Sequence, residues 1–168
     1  RALRMPDWLC YAAAVLMEAG IDARLYDFIA NDWDKQKLAD LVRDEKPDFV
    51  VLDATTPSIY SDIECARICK DVSGAKVIMV GTHASALPGE TLLLSKGSID
   101  VIALGEYDLT LRDIVQKWPH LSDVPGVCFL KDGRPFFTPV RPVIEDLDSL
   151  PFPYRGSLDI GKYFDAGR

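Results

Sequence analysis

Short apolar runs alternate with amphipathic stretches along most of this chain. Three runs, at residues 49–52, 76–80 and 101–104, are too short for helices and have no polar alternation. Such runs are typical of strands that are buried on both faces of a parallel sheet. A weaker run at residues 23–28 predicts one further strand, earlier in the chain.

The amphipathic stretches predict helices between these strands. Helices are expected at residues 8–19, 34–43, 61–71, 88–95 and 109–118. Ser61 is the predicted N-cap of the third helix, with Glu64 as its capping-box partner. Alternating strands and helices indicate βαβ units, and right-handed crossovers then produce a doubly wound parallel sheet of the flavodoxin-like or Rossmann-like α/β class.

Both ends of the chain depart from this alternation. The first predicted element is a helix, whereas such folds normally open on a strand, so we expect a first strand upstream of residue 1 or missing from this sequence. Asp132-Gly133 between apolar runs predicts a β-hairpin, and prolines with alternating acids favour an extended linker after it. The expected division is an α/β domain over 1–122, a hairpin extension over 123–140, and a linker toward another domain over 141–168.

Composition excludes some classes of function. The 168 residues carry a net charge of −7 without a basic stretch, which argues against nucleic acid as a partner. No apolar segment is long enough for a membrane span and no signal peptide is visible, which favours a cytoplasmic location without membrane contact. The four cysteines have neither disulfide-framework nor metal-cluster spacing, so we interpret them as small hydrophobic residues.

Two glycine turns give the strongest indication of function. Gly81 and Gly105 directly follow two of the apolar runs. Ligands of open α/β sheets bind at the carboxyl ends of the strands, where glycine permits a sharp turn and a close approach of the backbone. The polar residues that follow the strand ends are the candidate contacts: Thr55, Thr56, Ser58, Thr82, His83 and Glu106.

Ordinary structural roles compete with ligand contact at these positions. Thr55 and Thr56 are also suited to cap the turn before the third helix. A histidine after a glycine turn is more often hydrogen-bonded within the protein than bound to a metal, so we expect His83 to be structural. Glu106 is equally suited to begin the next helix.

Several segments, taken in order and with their spacing, resemble one known family. They are Leu9-Cys10-Tyr11-Ala12-Ala13 with Gly20, Pro47-Asp48-Phe49-Val50-Val51, Gly81-Thr82-His83-Ala84 with Pro88 and Glu90, Asp100-Val101-Ile102-Ala103-Leu104-Gly105-Glu106, and Asp146-Leu147-Asp148-Ser149-Leu150-Pro151-Phe152-Pro153. Together they are similar to the N-terminal cobalamin-binding domain of B12-dependent radical S-adenosylmethionine enzymes. Thr82 replaces the family's second glycine, and the family's GEGE motif is Gly105-Glu106-Tyr107-Asp108 here.

The resemblance implies a cobalamin-binding module with no catalytic residue of its own. It implies cobalamin contacts by Met5, Trp8, Thr55, Thr56, Ser58, Gly81, Thr82, His83, Gly105 and Glu106. The family's DxHxxG motif is absent, which implies that no histidine ligates the cobalt and that its lower face is open or shielded by Met5. In the parent enzyme, a C-terminal radical domain with a [4Fe-4S] cluster and S-adenosylmethionine is expected to carry out methyl transfer or a radical cyclisation or rearrangement.

Two other classes of function are weighed against this one. A flavodoxin-like receiver or regulatory domain is the main alternative, with Asp53 after a strand as the phosphorylatable residue. It lacks the acidic pair after a first strand and an evident late-strand lysine. A nucleotide-binding domain is disfavoured because the chain has neither a GxGxxG motif nor a P-loop.

Overall fold

A five-stranded sheet forms the centre of the protein in the computed structural model, which describes residues 3–165. The strands are β1 (Phe49–Asp53), β2 (Lys76–Val80), β3 (Val101–Ala103), β4 (Val127–Lys131) and β5 (Arg134–Phe137). They lie in the order β1-β2-β3-β4-β5, parallel from β1 to β3 and antiparallel from β3 to β5. The predicted hairpin therefore extends the same sheet.

Helices cover both faces of this sheet. They are α1 (Asp7–Glu18), α2 (Lys35–Glu45), α3 (Ile59–Ser73), α4 (Thr82–Ala86), α5 (Pro88–Ser95), α6 (Asp108–Lys117) and the short α7 (Gly161–Asp165). One apolar cluster joins α1 and α6 to one face, and a second joins α2, α3, α4 and α5 to the other. The predicted doubly wound α/β class is confirmed.

The core lies on β2 and β3, whose side chains are buried on both faces of the sheet. Ile78 and Val80 pack toward α1 and α6, whereas Val77 and Met79 pack toward α3. All four side chains are fully buried, and each such burial contributes about 1.5–3 kcal/mol. This core aligns the carboxyl ends of β1, β2 and β3, because parallel strands end at the same edge.

Two predicted details are wrong. Residues 23–28 form no strand, because they pair with no strand of the sheet in the described part of the chain. The third helix begins at Ile59 rather than after Ser61, with Ser58 at the N-cap position. A turn in which the Ser58 amide donates to the Thr55 carbonyl, at 3.1 Å, places the N-cap three residues before the predicted one.

The cysteines are free thiols, as the sequence interpretation expects. Cys10, Cys69 and Cys128 are buried within apolar clusters. Burial raises the pKa of the Cys69 thiol to about 12 and that of Cys128 to about 11. Both remain protonated at neutral pH and act as packing residues.

The segment that follows the hairpin returns across α1. The Tyr154 amide donates to the Cys10 carbonyl at 2.9 Å, and Tyr154 and Leu158 pack against Cys10. Arg155 donates to the Asp7 carboxylate at 2.6 Å and to the Met5 sulfur at 3.1 Å. This segment therefore holds the start of α1 in place. Within residues 3–165, no helix has the length and apolar character of a membrane span.

We expect the Asp113→Asn variant to lose about 2 kcal/mol of stability at pH 7. Burial raises the pKa of Asp113, but hydrogen bonds from Arg141 and Arg112 outweigh it, so the pKa lies below its ordinary value. The ion pair therefore stabilises the fold above about pH 4, and this contribution is lost as the pH falls through the lowered pKa.

Urea unfolding of both proteins from pH 7 down to pH 2.5 measures this effect. The difference between them should shrink below about pH 4. Asp123→Asn is the matched control, because the Asp123 side chain is exposed and outside the ion pairs of the described residues. A difference that does not change with pH contradicts the assignment.

Candidate functional site

A cavity of about 2490 Å³ runs from the carboxyl ends of the parallel strands down the open side of β1. It is well above the roughly 300–1,000 Å³ of a typical ligand pocket. We call its upper part the crevice: the space bounded by the turns after β1, β2 and β3, by the start of α6, and by Met5 and Trp8. The lower part, between residues 21–28 and β1, we call the slot.

Eight of the ten site residues predicted from the sequence line this cavity: Met5, Trp8, Thr55, Ser58, Gly81, Thr82, Gly105 and Glu106. Trp8 is 65% exposed and lies on the cavity lining. Thr56 and His83 are not on its lining. The Nδ1 atom of His83 lies 3.2 Å from the Thr56 hydroxyl, and this contact joins α4 to the turn after β1.

Gly81 is required by the packing of the protein itself. Its φ of 99° is rarely adopted by other residues, and a Cβ there would lie 2.2 Å from Asp53 Oδ1 and 2.5 Å from the Ala54 carbonyl oxygen. The Ala54 amide also donates to the Val80 carbonyl at 2.9 Å. The turns after β1 and β2 are therefore in direct contact, and together they form one wall of the crevice.

The space around Gly105, in contrast to that around Gly81, is open. The φ of Gly105 is 64°, and a Cβ there would meet no atom within 4 Å. Its amide donates to the Ser85 hydroxyl at 3.0 Å, which fixes the turn against α4. Gly105 therefore presents bare backbone to the crevice. Ser85 also lines the cavity and was missed from the sequence, because the short helix α4 was not predicted.

Tyr107 and Asp108 are the most informative residues that the sequence reasoning missed. They line the cavity and are only 6% and 7% exposed, yet the Tyr107 hydroxyl and Asp108 Oδ1 have no hydrogen-bond partner. Burial raises the pKa of both groups. An unpartnered buried polar group costs about 1–3 kcal/mol, so these two groups make the adjoining cavity wall a candidate contact for a polar ligand. Their position after Gly105-Glu106, in the first turn of a helix, was the available signal.

The turn after β1 supplies a chain of hydroxyl groups. Thr55 Oγ1 lies 2.8 Å from Ser58 Oγ, and Ser58 donates to the Asp62 carboxylate at 2.7 Å. With the Ser58 proton used in this way, Thr55 is the donor of the pair. Its remaining hydroxyl lone pair is available to a ligand in the crevice, whereas its carbonyl already accepts from the Ser58 amide.

Asp53 adds an acidic group to the same wall. Its pKa is raised because surrounding protein displaces water, although the carboxyl still opens toward the cavity. The described residues contain no cluster of three or more His, Cys, Asp or Glu side chains suited to a metal ion. The acidic metal site that a receiver domain needs around Asp53 is therefore not formed by residues 3–165.

Fold and site together define a ligand-binding α/β domain, with a wide crevice where the parallel strands end. The B12 binding domain family matches residues 5–115, which is most of the chain. This protein belongs to that family, and the predicted cobalamin-binding function is confirmed. The receiver alternative finds no support.

Curated relatives include an uncharacterized methyltransferase of Pyrococcus horikoshii, 29% identical over 162 residues. Another is the anaerobic magnesium-protoporphyrin IX monomethyl ester cyclase of Rubrivivax gelatinosus, 31% identical over 166 residues. Each alignment covers 94% of this chain but only 35% and 30% of the relatives. The chain thus spans about a third of the length of the curated relatives it matches.

Solved structures share the fold. OxsB, a cobalamin-dependent S-adenosylmethionine radical enzyme with aqua-cobalamin and S-adenosylmethionine bound, matches 98% of this chain with a TM-score of 0.78 and 19% identity. The radical S-adenosylmethionine methyltransferase TsrM of Kitasatospora setae, with cobalamin and a [4Fe-4S] cluster, matches 91% with a TM-score of 0.72 and 14% identity. This chain covers 23% and 30% of those two chains.

Proposed function

We propose that this domain holds cobalamin in the crevice and presents it to a radical S-adenosylmethionine domain in a longer protein. When bound, cobalamin supplies a cobalt centre that carries and transfers alkyl groups. The names of the relatives, a methyltransferase and a cyclase, support methyl transfer or radical cyclisation as the activity of the whole protein. The division into residues 1–122, 123–140 and 141–168 belongs to this proposal.

The residues of the crevice fit this cofactor. A corrin is wide and flat and carries many amide groups, so it needs bare backbone beneath it and polar partners around its rim. Gly105 offers the bare backbone. Tyr107 and Asp108 offer an unpartnered hydroxyl and an unpartnered carboxyl oxygen, which suit amide oxygens and amide N–H groups respectively. These two unsatisfied groups are the observation that carries the assignment.

We assign the hydroxyls of the turn after β1 to the nucleotide tail of the cofactor. Thr55 and Ser58 line the cavity on the opposite side from Gly105 and carry free acceptor lone pairs. Thr56 contributes less to binding the nucleotide tail, because its hydroxyl contacts His83.

Neither histidine would ligate the cobalt of a bound cobalamin. His83 is off the cavity lining and contacts Thr56, while His120 is exposed beyond the end of α6. Met5 lines the cavity, and its sulfur accepts a hydrogen bond from Arg155 Nε at 3.1 Å. That contact would hold the Met5 side chain as an apolar shield beside a bound cobalamin.

The radical domain is assigned to the side of the protein that carries residues 141–165. Several apolar side chains of this segment and of the chain just before it are exposed: Val140, Val143, Leu147, Phe152 and Phe164. Phe152 is 97% exposed between two prolines. Several exposed apolar side chains along one segment are typical of a surface that another domain covers.

Binding of hydroxocobalamin by the purified domain tests the proposal. We expect co-elution on gel filtration and a change in the visible spectrum of the corrin. Tyr107→Phe should weaken binding about tenfold, because one hydrogen bond of roughly 1–1.5 kcal/mol is lost. The same variant should leave the free domain as stable as the parent or slightly more so, since it removes an unsatisfied hydroxyl.

Tyr60→Phe is the matched control. Tyr60 is 77% exposed and lies outside the cavity lining, so its loss should change neither binding nor stability. If the parent, Tyr107→Phe and Tyr60→Phe bind hydroxocobalamin with equal affinity, Tyr107 does not contact the ligand. Failure of the parent domain to bind hydroxocobalamin at all contradicts the proposal for this segment.

A further inference from the structure

Residues 154–163, which we call the strap, are attached at two points to chain that lines the cavity. The first attachment is at the start of α1. The Arg155 guanidinium donates through one nitrogen to the Asp7 carboxylate at 2.6 Å and through Nε to the Met5 sulfur at 3.1 Å. Met5 and Asp7 both line the cavity. Arg155 therefore fixes the edge of the crevice from which α1 begins.

The second attachment is to the chain that follows α1. The Tyr163 hydroxyl donates to Asp27 Oδ2 at 2.6 Å, and Asp27 Oδ1 accepts from the Ala30 amide at 2.9 Å. The Ser157 hydroxyl donates to the Leu25 carbonyl at 2.8 Å. Leu25 and Asp27 line the cavity as well. One short segment thus holds two parts of the cavity wall that are about twenty residues apart in sequence.

The contacts of the strap are weaker than those of the core. Tyr154 and Leu158 pack on a small apolar cluster whose buried members are Cys10, Ala13 and Leu25. The ion pair of Arg155 with Asp7 is partly open to solvent, because the two side chains are 40% and 52% exposed. Segments with few buried contacts and exposed hydrogen bonds open at a lower free-energy cost than core strands do. The strap is therefore able to open while the sheet stays folded.

We propose that Arg155 is a positioning residue of the crevice, and that the strap couples ligand binding there to the placement of the chain after the hairpin. This inference rests on the proposed function. A crevice edge that Arg155 already holds in place costs the ligand less ordering on binding than a loose edge does. By linkage, the ligand must favour the attached strap by the same factor by which the attached strap favours the ligand.

The position of the strap in the chain suggests what this coupling regulates. Phe152, which is 97% exposed, lies two residues before Tyr154. A domain that covers Phe152 would therefore act on the chain directly before the first attachment. Docking of that domain would tighten or loosen the strap, and with it the affinity of the crevice for its ligand.

Titration of the parent and of Arg155→Gln with hydroxocobalamin, followed by the corrin spectrum, tests the first half of the proposal. Arg155→Gln should weaken binding about fivefold or more. The urea midpoint should stay close to that of the parent, because exposed ion pairs contribute little to stability. Arg134→Gln is the matched control, since Arg134 is exposed on β5, outside the cavity lining and outside the ion pairs of the described residues. It should bind like the parent.

Amide hydrogen exchange tests the reciprocal effect. The Tyr154 amide donates to the Cys10 carbonyl at 2.9 Å, so its exchange reports opening of the strap. Saturating hydroxocobalamin should slow its exchange at least about fivefold in the parent. The Leu150 amide, which donates to the Leu147 carbonyl in a turn before the strap, is the internal control and should not change.

A third measurement needs no ligand. Tyr163→Phe removes the hydrogen bond to Asp27 at the second attachment, and it should speed exchange of the Tyr154 amide at the first, because one segment carries both. Tyr60→Phe, at a side chain that is 77% exposed, should leave that exchange unchanged. Unchanged exchange in Tyr163→Phe means that the two attachments open independently, which overturns the strap.

Two further results overturn the coupling. Equal affinities for the parent and Arg155→Gln show that Arg155 does not position the crevice, and the proposed function survives that result. A weaker Arg155→Gln without slower Tyr154 exchange in the loaded parent shows a local support of α1 and no coupling. Failure of the parent to bind hydroxocobalamin contradicts the proposed function, and the coupling falls with it.

Discussion

Gly105→Leu is expected to weaken hydroxocobalamin binding about 100-fold or more. The turn after β3 has a φ of 64° and no atom within 4 Å of a Cβ position, so a leucine side chain enters the crevice without displacing protein atoms. It then takes space that a planar ligand needs, and a loss of about 2.7 kcal/mol in binding corresponds to about 100-fold in Kd. Titration followed by the corrin spectrum measures the change.

Gly74→Leu separates this steric effect from backbone strain. Gly74 has a φ of 71°, also has no atom within 4 Å of a Cβ position, and lies after α3 outside the cavity lining. Each variant should lose about 1–2 kcal/mol of stability, since both force a side chain into the left-handed region. Only Gly105→Leu should lose affinity. Equal affinities for the two variants mean that the ligand does not lie over Gly105.

Gly81→Ala is expected to destabilise the fold by about 3 kcal/mol or more. The added methyl group would lie 2.2 Å from Asp53 Oδ1 and 2.5 Å from the Ala54 carbonyl. The backbone of Ala54 is itself hydrogen-bonded to Val80. The turn therefore cannot move away from the added methyl group without breaking a contact between β1 and β2. Urea unfolding of the free domain measures the loss.

Gly20→Ala is the control for that experiment. Gly20 has a φ of 78° after the end of α1, with no atom within 4 Å of a Cβ position, so alanine there should cost only about 1–2 kcal/mol. If the two alanine variants are equally stable, the turns after β1 and β2 are not in contact in solution. Gly81 is therefore a probe of folding, and Gly105 is the better probe of ligand contact.

The hydrophobic pattern predicted most of the layered fold because burial is encoded locally. β2 was predicted with the bounds it has, and α5 likewise, because a continuous apolar run and a proline in the first helical turn are signals within the segment. Residues 23–28 were predicted wrongly because a strand exists only when a neighbour completes its hydrogen bonds. Ser61 was misplaced as an N-cap because the turn at Thr55 starts the helix early.

The candidate site could be predicted in position but not in its individual roles. Glycines after apolar runs identified the edge at which Gly81 and Gly105 lie, because strand ends are readable from the pattern. The sequence could not predict that Gly81 is tightly packed whereas Gly105 is open, because this difference depends on how the turns pack against one another. Tyr107 and Asp108 were missed for a similar reason: the burial of an unpartnered polar atom is a property of the assembled cavity.

The amino-acid sequence by itself determined the α/β class, the edge of the sheet at which the crevice lies, and the family, because these follow from periodicity and from motifs that are continuous in the chain. The tertiary structure alone decided which predicted residues meet in the crevice, that His83 contacts Thr56 away from it, and that β1 borders an open slot. Contacts between residues far apart in sequence decide these points, and such contacts have no local signature.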